Sequence, residues 1–369
     1  MANVLDYIDW RGDLTFKQSP FCEVDGLILG LLSYMELSGI ADGEIAKEGI
    51  TLSSAAKKYF KKFGDNPPSM GILIPKEFPM FFKKAAESAR YGDMRLFGYK
   101  SVISTVSETQ FAAVCISVGD GSLYVSYRGT DDTLVGWKEN FNMSFMDSVE
   151  AQRLALDYLI DASKCHRGKI RVGGHSKGGN LAMYAAINSP KRLRTRILDV
   201  YNNDGPGFIN SIENTEGYIA LKERIHTNLP HYCVVGLLLE HTTDYKVVKC
   251  SADGIFQHDP FSWQIMRDSF VTEKTLSKEC LKVERSIKAW LRDIDNDKRS
   301  EFVEAVHKVF TANSAQTLTD IAEDKFDFIR SLSKLDTSVR DVIISTGKIL
   351  VREGWNTARN KKKGEDSEK

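Results

Sequence analysis

The sequence lacks the features that mark a membrane protein or a nucleic-acid binder. Lys and Arg number 50 and Asp and Glu number 50, so no net charge attracts nucleic acid or an anionic membrane. The longest apolar runs, residues 26–32 and 233–239, are too short to span a bilayer, and residues 1–10 do not resemble a signal peptide. We therefore predict no nucleic-acid partner and no integral membrane segment.

Cysteine is sparse, and its spacing is uninformative. No two cysteines have the separation of zinc ligands or of a redox motif. The six are Cys22, Cys115, Cys165, Cys233, Cys250 and Cys280. This pattern predicts free thiols in a reducing cytoplasm, and it gives no reason to expect a metal or any other cofactor.

What is present is the composition of an ordinary globular protein of 369 residues, with 42% hydrophobic and 27% charged residues. Strand-like apolar runs alternate with helical segments from about residue 99, which predicts an α/β fold with a mostly parallel sheet and helices on both faces. We assign residues 1–268 to this domain and expect its first part, 1–66, to be mostly helical. Residues 269–360 are expected to form a helical extension, and 361–369 a disordered tail.

The period of the hydrophobic residues separates strands from helices along the chain. It predicts strands at residues 111–116, 123–127, 170–173, 196–202 and 245–248. It predicts helices at 76–89, 152–163, 180–188, 272–293, 298–311 and 320–355. The sequence shows no internal repeat.

The pattern that points to chemistry is Gly174-His175-Ser176-Lys177-Gly178, between a predicted strand and a predicted helix. It matches G-x-S-x-G, the turn that lifts a nucleophilic serine clear of the sheet edge; a phosphate-binding glycine turn or a plain connection is the alternative. The turn also places Ser176 at a helix N-terminus, where free amides favour developing negative charge. We predict that Ser176 is the nucleophile of a serine hydrolase with the α/β-hydrolase fold. The Lys177 amide is the first predicted oxyanion donor, its side chain should face solvent or an acidic substrate group, and His175 should pack or hydrogen-bond beneath the turn.

Other motifs give a family resemblance. The chain carries Tyr127-Arg128-Gly129-Thr130-Asp131-Asp132, followed shortly by Trp137. These segments resemble class 3 lipases, the group that includes fungal triacylglycerol lipases. Over roughly residues 6–263 the chain more closely resembles a bacterial family of uncharacterised α/β-hydrolase-fold proteins related to those lipases. The shared segments are Arg-Gly-Thr-Asp-Asp, Gly-Trp-Lys-Glu, Gly-His-Ser-Lys-Gly-Gly-Asn-Leu-Ala, Asp-Gly-Pro-Gly-Phe and Gln-His-Asp-Pro. The resemblance implies the fold and a catalytic triad, without a substrate.

The resemblance also suggests roles for single residues near Thr130. Thr130 matches the hydroxy residue that lends its amide and hydroxyl to the oxyanion hole of class 3 lipases. Asn140 stands where those lipases have Asp, which leaves the role of this position open. Arg128 and Asp131 are interpreted as a salt bridge that braces the turn, because loop charges commonly do so.

Chain order guides the choice of base and acid, since in this fold the acid and then the histidine follow the serine. His258 lies in a loop between a predicted strand and the helical extension, and class 3 lipases place their histidine in a comparable segment. Asp204 follows a predicted strand, so its carboxylate can reach a histidine above the sheet. In class 3 lipases the acid comes just before a proline, and the matching residues here, 226–230, contain no acid. This departure favours Asp204, with Asp244 as the second choice and Asp259 as the third.

These residues predict an esterase or lipase-like acyl hydrolase that acts on a small-molecule ester through an acyl-enzyme. Two alternatives stay open: a non-catalytic binding or scaffold protein on the same fold, and a thioesterase or amidase with the same triad. The apolar residues 234–239 are interpreted as a buried segment that closes the core, with an acyl-binding wall or lid as the alternative. Three roles are open for the C-terminal helices: capping the site, pairing two copies, or binding a protein partner.

Overall fold

A central sheet draws its strands from most of the chain. The computed structural model describes residues 2–43, 45, 49–64, 75–241, 244–293, 295–310 and 316–317. In these residues the strands are β1 (Ile50–Thr51), β2 (Arg95–Ser104), β3 (Thr109–Ser117), β4 (Leu123–Tyr127), β5 (Ile170–His175), β6 (Ile197–Asn203), β7 (Ile225–Pro230), β8 (Lys246–Val248), β9 (Ile265–Met266), β10 (Ser269–Phe270) and β11 (Thr272–Glu273). The predicted helix at 320–355 and the predicted tail at 361–369 lie outside the described residues.

The main sheet has the strand order β1-β2-β3-β4-β5-β6-β7-β8-β11, while β9 and β10 pair separately. Strands β4 to β8 are parallel, and antiparallel strands extend the sheet at both edges. The predicted α/β-hydrolase arrangement is confirmed, with its parallel part formed by these five strands. The sheet also continues past residue 268, because β11 pairs with β8 at the edge.

Helices occupy the connections and the two ends of the described chain. They are α1 (Val4–Arg11), α2 (Glu23–Leu31), α3 (Leu52–Phe63), α4 (Phe78–Glu87), α5 (Leu134–Asn142), α6 (Glu150–Cys165), α7 (Lys177–Asn188), α8 (Lys191–Arg194), α9 (Glu216–Leu221), α10 (Lys278–Asp293) and α11 (Asn296–Phe310). The predicted helices at 76–89, 152–163, 180–188 and 298–311 correspond to α4, α6, α7 and α11. In the described residues, no helix has both the length and the apolar character needed to cross a bilayer.

The two faces of the sheet are covered by different parts of the chain. Because the parallel strands follow chain order and such crossovers are right-handed, their connecting helices lie on one face. Strand β4 shows the division: Val125 packs with residues of α6 and α7, whereas Tyr124 packs with residues of α2. The N-terminal helices therefore cover the face that the crossover helices leave open.

Two glycines let α2 lie close to the sheet. A side chain at Gly26 would come within 2.6 Å of the Tyr201 ring, and one at Gly30 would come within 3.2 Å of the Gly174 Cα. Gly174 precedes Ser176 by two residues, so the end of α2 lies directly behind the predicted nucleophile turn.

A buried ion pair anchors this N-terminal segment. Asp25 of α2 and Arg90 are both fully buried, and the guanidinium donates to the two carboxylate oxygens at 2.7 and 2.6 Å. The Tyr91 hydroxyl donates to the same carboxylate at 2.6 Å. Arg90 also donates to three main-chain carbonyls, so the buried charges are fully hydrogen-bonded.

The two described C-terminal helices pack against the domain at separate places. Helix α11 contacts α5, where the Lys138 ammonium lies 2.5 Å from Glu304. Near the start of α10, the Cys280 thiol donates to the carbonyl of Cys233. Both helices therefore brace segments next to the predicted site. The prediction of a helix from residue 272 is wrong at its start, because Thr272–Glu273 pairs with β8 and the helix begins at Lys278.

Candidate active site

Ser176 occupies a strained turn between β5 and α7. Its φ of 58° and ψ of −136° lie in a region that residues with a side chain rarely adopt. The turn is also crowded, since a side chain at Gly174 would collide with Gly178, and one at Gly178 would collide with the Tyr127 carbonyl. The Ser176 amide donates to the carbonyl of Asn203 at 2.9 Å. This is the strand–turn–helix geometry that the G-x-S-x-G pattern predicts.

The predicted acid and base meet beside this turn. Asp204 follows the last residue of β6, has a φ of 53° and is 1% exposed. His258 ends the short 3₁₀ helix Gly254–His258, and its Nδ1 lies 2.5 Å from Asp204 Oδ2. The structure thus brings these two predicted residues together next to Ser176, although 54 residues separate them in the chain.

The second oxygen of Asp204 is held as well. The Cys233 thiol donates to Oδ1 at 2.9 Å, and the Gly236 amide donates to the same atom at 3.1 Å. With Oδ1 fixed by these donors, Oδ2 is aimed at the histidine. Gly236 lies in the apolar segment 234–239, which the sequence predicts to be buried; Gly236 and Leu237 are buried and the other four residues are half-buried. The segment therefore also supports the acid, a role that has no sequence motif because one donor is a main-chain amide.

The other carboxylates considered for the acid serve different purposes. Asp244 is exposed. Asp259 accepts a hydrogen bond from the Phe261 amide at 2.9 Å, and burial raises the pKa of its carboxyl to about 6. In the described residues, His258 hydrogen-bonds to neither of these carboxylates through its ring. The geometry therefore favours Asp204.

Thr130 lies on the other side of Ser176. A side chain at Gly129 would come within 3.0 Å of the Ser176 Cβ, so this turn borders the nucleophile. Asn140 Nδ2 donates to Thr130 Oγ1 at 2.7 Å, and Thr130 Oγ1 lies 3.0 Å from Asn140 Oδ1. Asn140, which stands where class 3 lipases have Asp, thus fixes the side chain of Thr130.

The two predicted oxyanion donors are main-chain amides. Within the part of the chain that the structure describes, neither the Thr130 amide nor the Lys177 amide has a hydrogen-bond acceptor. The Lys177 amide begins α7, where the first N–H groups of a helix lack partners inside the helix. Both amides are therefore available to an anion that forms at Ser176.

Arg128 and Asp131 form the predicted salt bridge, with 3.3 Å between Nη2 and Oδ2. The other oxygen of Asp131 accepts a hydrogen bond from the Thr133 amide at 3.0 Å. Thr133 is the N-cap of α5, so Asp131 fixes the path from the Thr130 turn into that helix. The interpretation of this pair as a brace for the turn is confirmed.

The prediction for the Lys177 side chain is wrong. The side chain is 1% exposed, and its Nζ lies 2.9 Å from Glu139 Oε2, a carboxylate that is equally buried. Nζ also donates to the carbonyl and to Oε1 of Gln110, both at 2.6 Å. The lysine points inward because three oxygens there replace the water that a buried ammonium loses.

Glu139 connects this ion pair to neighbouring segments. Its Oε2 accepts from the Gln110 amide at 3.0 Å, and its Oε1 accepts from the Ala151 amide at 2.9 Å. Gln110 Nε2 in turn donates to the carbonyl of Gly129 at 3.4 Å. The network therefore links the nucleophile turn to the turn that carries Thr130.

His175 hydrogen-bonds beneath the turn, as predicted. Its Nε2 lies 2.9 Å from the carbonyl oxygen of His258, and the two imidazole rings are 4.6 Å apart. Its Nδ1 lies 3.2 Å from the hydroxyl of Tyr34. Burial, assisted by the neighbouring His258, holds the pKa of His175 well below its usual range. Sequence reasoning missed Tyr34, because 141 residues separate it from His175 and no motif includes it.

The sheet topology and the serine turn define an α/β-hydrolase fold. A family model described as Mbeg1-like matches residues 85–308, more than half of the chain, and the chain belongs to this family. No curated protein matches the chain.

Several solved lipase structures are similar to part of the chain. M37 lipase is 15% identical, with 58% of this chain and 69% of that chain covered and a TM-score of 0.36. The lipase of Rhizopus microsporus var. chinensis is 19% identical, with 52% of this chain and 70% of that chain covered and a TM-score of 0.33. The Lip2 lipase of Yarrowia lipolytica is 12% identical, with 48% of this chain and 72% of that chain covered and a TM-score of 0.33. Similarities this low carry no argument about activity, so the case for function rests on the site itself.

Proposed function

We propose that the protein is a serine hydrolase that cleaves carboxylic esters through Ser176, His258 and Asp204. The observation that carries the proposal is the 2.5 Å contact between His258 Nδ1 and Asp204 Oδ2. Asp204 directly follows Asn203, whose carbonyl accepts a hydrogen bond from the Ser176 amide. Nucleophile, acid and base thus follow β5, β6 and β8 at the carboxyl ends of the parallel strands, in the chain order that α/β-hydrolases use.

The first half of the reaction forms an acyl-enzyme. As Ser176 Oγ attacks the ester carbonyl carbon, His258 Nε2 accepts the hydroxyl proton. Asp204 holds the Nδ1–H tautomer and stabilises the imidazolium that results. The carbonyl oxygen becomes an oxyanion that accepts hydrogen bonds from the amides of Thr130 and Lys177. When the intermediate collapses, the bond to the alcohol oxygen breaks and His258 returns the proton to the leaving alcohol.

The second half releases the acid. His258 removes a proton from water, whose oxygen attacks the acyl carbon, and the same two amides stabilise the second oxyanion. The bond from the acyl carbon to Ser176 Oγ breaks, and Oγ regains its proton from His258. The products are a carboxylic acid and an alcohol, and the cycle needs no redox partner.

A second candidate, a binding protein without catalysis, is favoured by one observation. Within the described residues the Ser176 hydroxyl forms no hydrogen bond, although hydrolases of this type transfer its proton to a histidine. Catalytic hydrogen bonds are often long in free enzymes and tighten when substrate binds, so the geometry still favours the hydrolase.

The two candidates are separated by covalent labelling with a fluorophosphonate, which reacts only with an activated serine. We expect wild type and the control Ser211→Ala, which alters an exposed serine, to be labelled, and Ser176→Ala to be inert. Turnover of a p-nitrophenyl ester should fall by about 10⁴-fold or more in Ser176→Ala. Folded wild type that neither labels nor turns over ester would identify a binding protein. Thioester and amide substrates in the same assay rank the leaving groups.

A further inference from the structure

We propose that the N-terminal segment supplies a positioning residue to the active site: Tyr34 holds His175, and His175 holds the main chain of His258. The inference rests on the proposed function, because it assigns residues that act through the base. Tyr34 lies in the 3₁₀ turn Leu32–Tyr34 at the end of α2. It therefore lies outside residues 85–308, which the family model matches.

The contact between His175 and His258 fixes one tautomer. The carbonyl oxygen of His258 only accepts hydrogen bonds, so His175 Nε2, at 2.9 Å, carries the hydrogen. His175 is 5% exposed, and burial keeps its pKa low, so the ring is neutral. A neutral ring with its hydrogen on Nε2 has an acceptor at Nδ1.

Tyr34 supplies the donor for that acceptor. Its hydroxyl lies 3.2 Å from His175 Nδ1 and 3.4 Å from the carbonyl oxygen of His175. Burial raises the pKa of Tyr34, so the hydroxyl keeps its proton and donates it. The two contacts form a directed chain, from the Tyr34 hydroxyl to His175 and from His175 to the carbonyl of His258.

The Tyr34 hydroxyl also borders the turn that carries Thr130. A side chain at Gly129 would collide with this hydroxyl and would come within 2.7 Å of the His175 carbonyl. Tyr34 is 5% exposed and packs its ring against Phe78, with ring centroids 5.3 Å apart. The hydroxyl therefore has a fixed place behind both the oxyanion turn and the histidine.

These hydrogen bonds, from Tyr34 to His175 and from His175 to His258, set the position of the base. The imidazole of His258 is 31% exposed and has one carboxylate partner, so the angle of its ring depends on where its main chain is held. A loosened main chain would move Nε2 away from Ser176 without altering the surfaces that bind an ester. We expect losses in kcat with little change in KM.

Two substitutions of His175 separate donor chemistry from packing. In His175→Gln the side-chain amide nitrogen reaches the place of Nε2, whereas in His175→Asn it reaches only the place of Nδ1. We expect His175→Asn to lose about 10–100-fold in kcat, with KM within about twofold, because a displacement near 1 Å has effects of this size. We expect His175→Gln to retain most of the activity. Equal kcat values for the two folded variants would overturn the proposal.

A third variant and a measurement without substrate complete the test. Tyr34→Phe keeps the ring and should lower kcat by a few-fold, since it removes one neutral hydrogen bond. In wild type without ligand, the ¹⁵N chemical shifts of His175 should show hydrogen on Nε2 and an accepting Nδ1, and Tyr34→Phe should move the Nδ1 resonance. Hydrogen on Nδ1 would overturn the inference whatever the activity. If wild type fails to label with fluorophosphonate while these shifts are as expected, the proposed function fails and the contact chain stands.

Discussion

The two sides of Ser176 are held by different chemistry. On the oxyanion side, Lys177 and Glu139 form a buried ion pair whose hydrogen bonds reach the Thr130 turn. On the acid side, Asp204 is buried, but its partner His258 is partly exposed and belongs to a short 3₁₀ turn. In the proposed mechanism, the amides that bind developing charge are thus fixed before substrate arrives, while the group that carries the proton depends on several separate hydrogen bonds.

This difference matches what each side has to do. Oxyanion stabilisation works best when the donors need no reorganisation during the reaction. In the proposed mechanism the base receives a proton from Ser176 and later delivers it to the leaving group, which requires a ring that is partly exposed. Substitutions on the acid side should therefore affect mainly kcat, whereas loss of the buried charges on the oxyanion side should also lower stability.

The largest effect is expected for Asp204→Asn. An amide can donate to Nδ1 of His258 and so favour the tautomer that leaves Nε2 unable to accept a proton; kcat should fall by about 10⁴-fold while the fold is kept. Steady-state kinetics on a p-nitrophenyl ester measure this. Asp259→Asn is the matched control, since its carboxylate caps a turn next to His258, and it should lose less than about tenfold. Similar losses in the two variants would remove Asp204 from the triad.

On the oxyanion side, Glu139→Ala should destabilise the fold by about 3–5 kcal/mol, because it leaves the Lys177 ammonium buried without its countercharge. Denaturant unfolding measures the loss. The double variant Glu139→Gln with Lys177→Met should regain part of it, since it removes both charges and keeps a side-chain oxygen that can accept from one of the two amides bound by Glu139.

Arg90→Met provides a control for that experiment, because it breaks a buried pair at Asp25, far from Ser176 in the chain. It should cost a similar free energy of unfolding. A loss below about 1 kcal/mol for Glu139→Ala would mean that the Lys177 side chain is hydrated, and that the oxyanion side is not preorganised by charge.

A smaller effect is expected where the thiol of Cys233 donates to Asp204. Cys233→Ala removes a hydrogen bond to a charged group, and kcat should fall by about tenfold, which corresponds to about 1.4 kcal/mol. Cys233→Ser keeps a donor and should retain most of the activity. Cys115→Ala, which removes a buried thiol from β3, should leave kcat unchanged. Equal losses in Cys233→Ala and Cys233→Ser would show that packing, and not the hydrogen bond, matters at this position.

The sequence identifies the candidate residues that are marked by a local motif or by their order in the chain. Ser176 is marked by a local five-residue turn, and Asp204 follows a recognisable strand. His258 follows from chain order, because parallel strands bring their carboxyl ends to one edge. In contrast, Lys177 pairs with Glu139 across a separation of 38 residues, and Cys233 donates to Asp204 across a separation of 29 residues. Such pairings depend on how the strands and helices pack, and a single sequence carries no local pattern for them.

The fold shows the same division. The apolar runs of β3, β4 and β5 identify these strands from composition. Strand β7 reads Ile-His-Thr-Asn-Leu-Pro, and its polar residues conceal a strand that lies between β6 and β8. Its Asn228 is fully buried and donates to the Asn203 side chain at 3.0 Å. The polar strand is held there by main-chain pairing with β6 and β8 and by contacts such as that of His226 with Asp199, which only the assembled sheet reveals.

The last effect is absent at neutral pH: it concerns the pH dependence of stability, and it tests the neutral state of His175. Burial and the neighbouring His258 hold the pKa of His175 well below its ordinary value of 6.5. The unfolded chain therefore binds a proton near pH 6.5 that the folded chain does not bind. The stability linked to neutral His175 is complete above this pH and is lost as the pH falls, by up to about 1.4 kcal/mol per pH unit.

Comparison with His175→Gln isolates this contribution, because the variant has no titrating group at that position. The difference in free energy of unfolding between wild type and variant should be constant above about pH 7.5 and should shift against wild type as the pH falls toward 5. Asp259, whose pKa of about 6 is raised by burial, acts in the opposite direction but is present in both proteins and cancels. Urea unfolding at several pH values measures the difference. If it does not vary with pH, His175 binds protons equally in the folded and unfolded chains, and burial does not keep its ring neutral as the pH falls below 6.5.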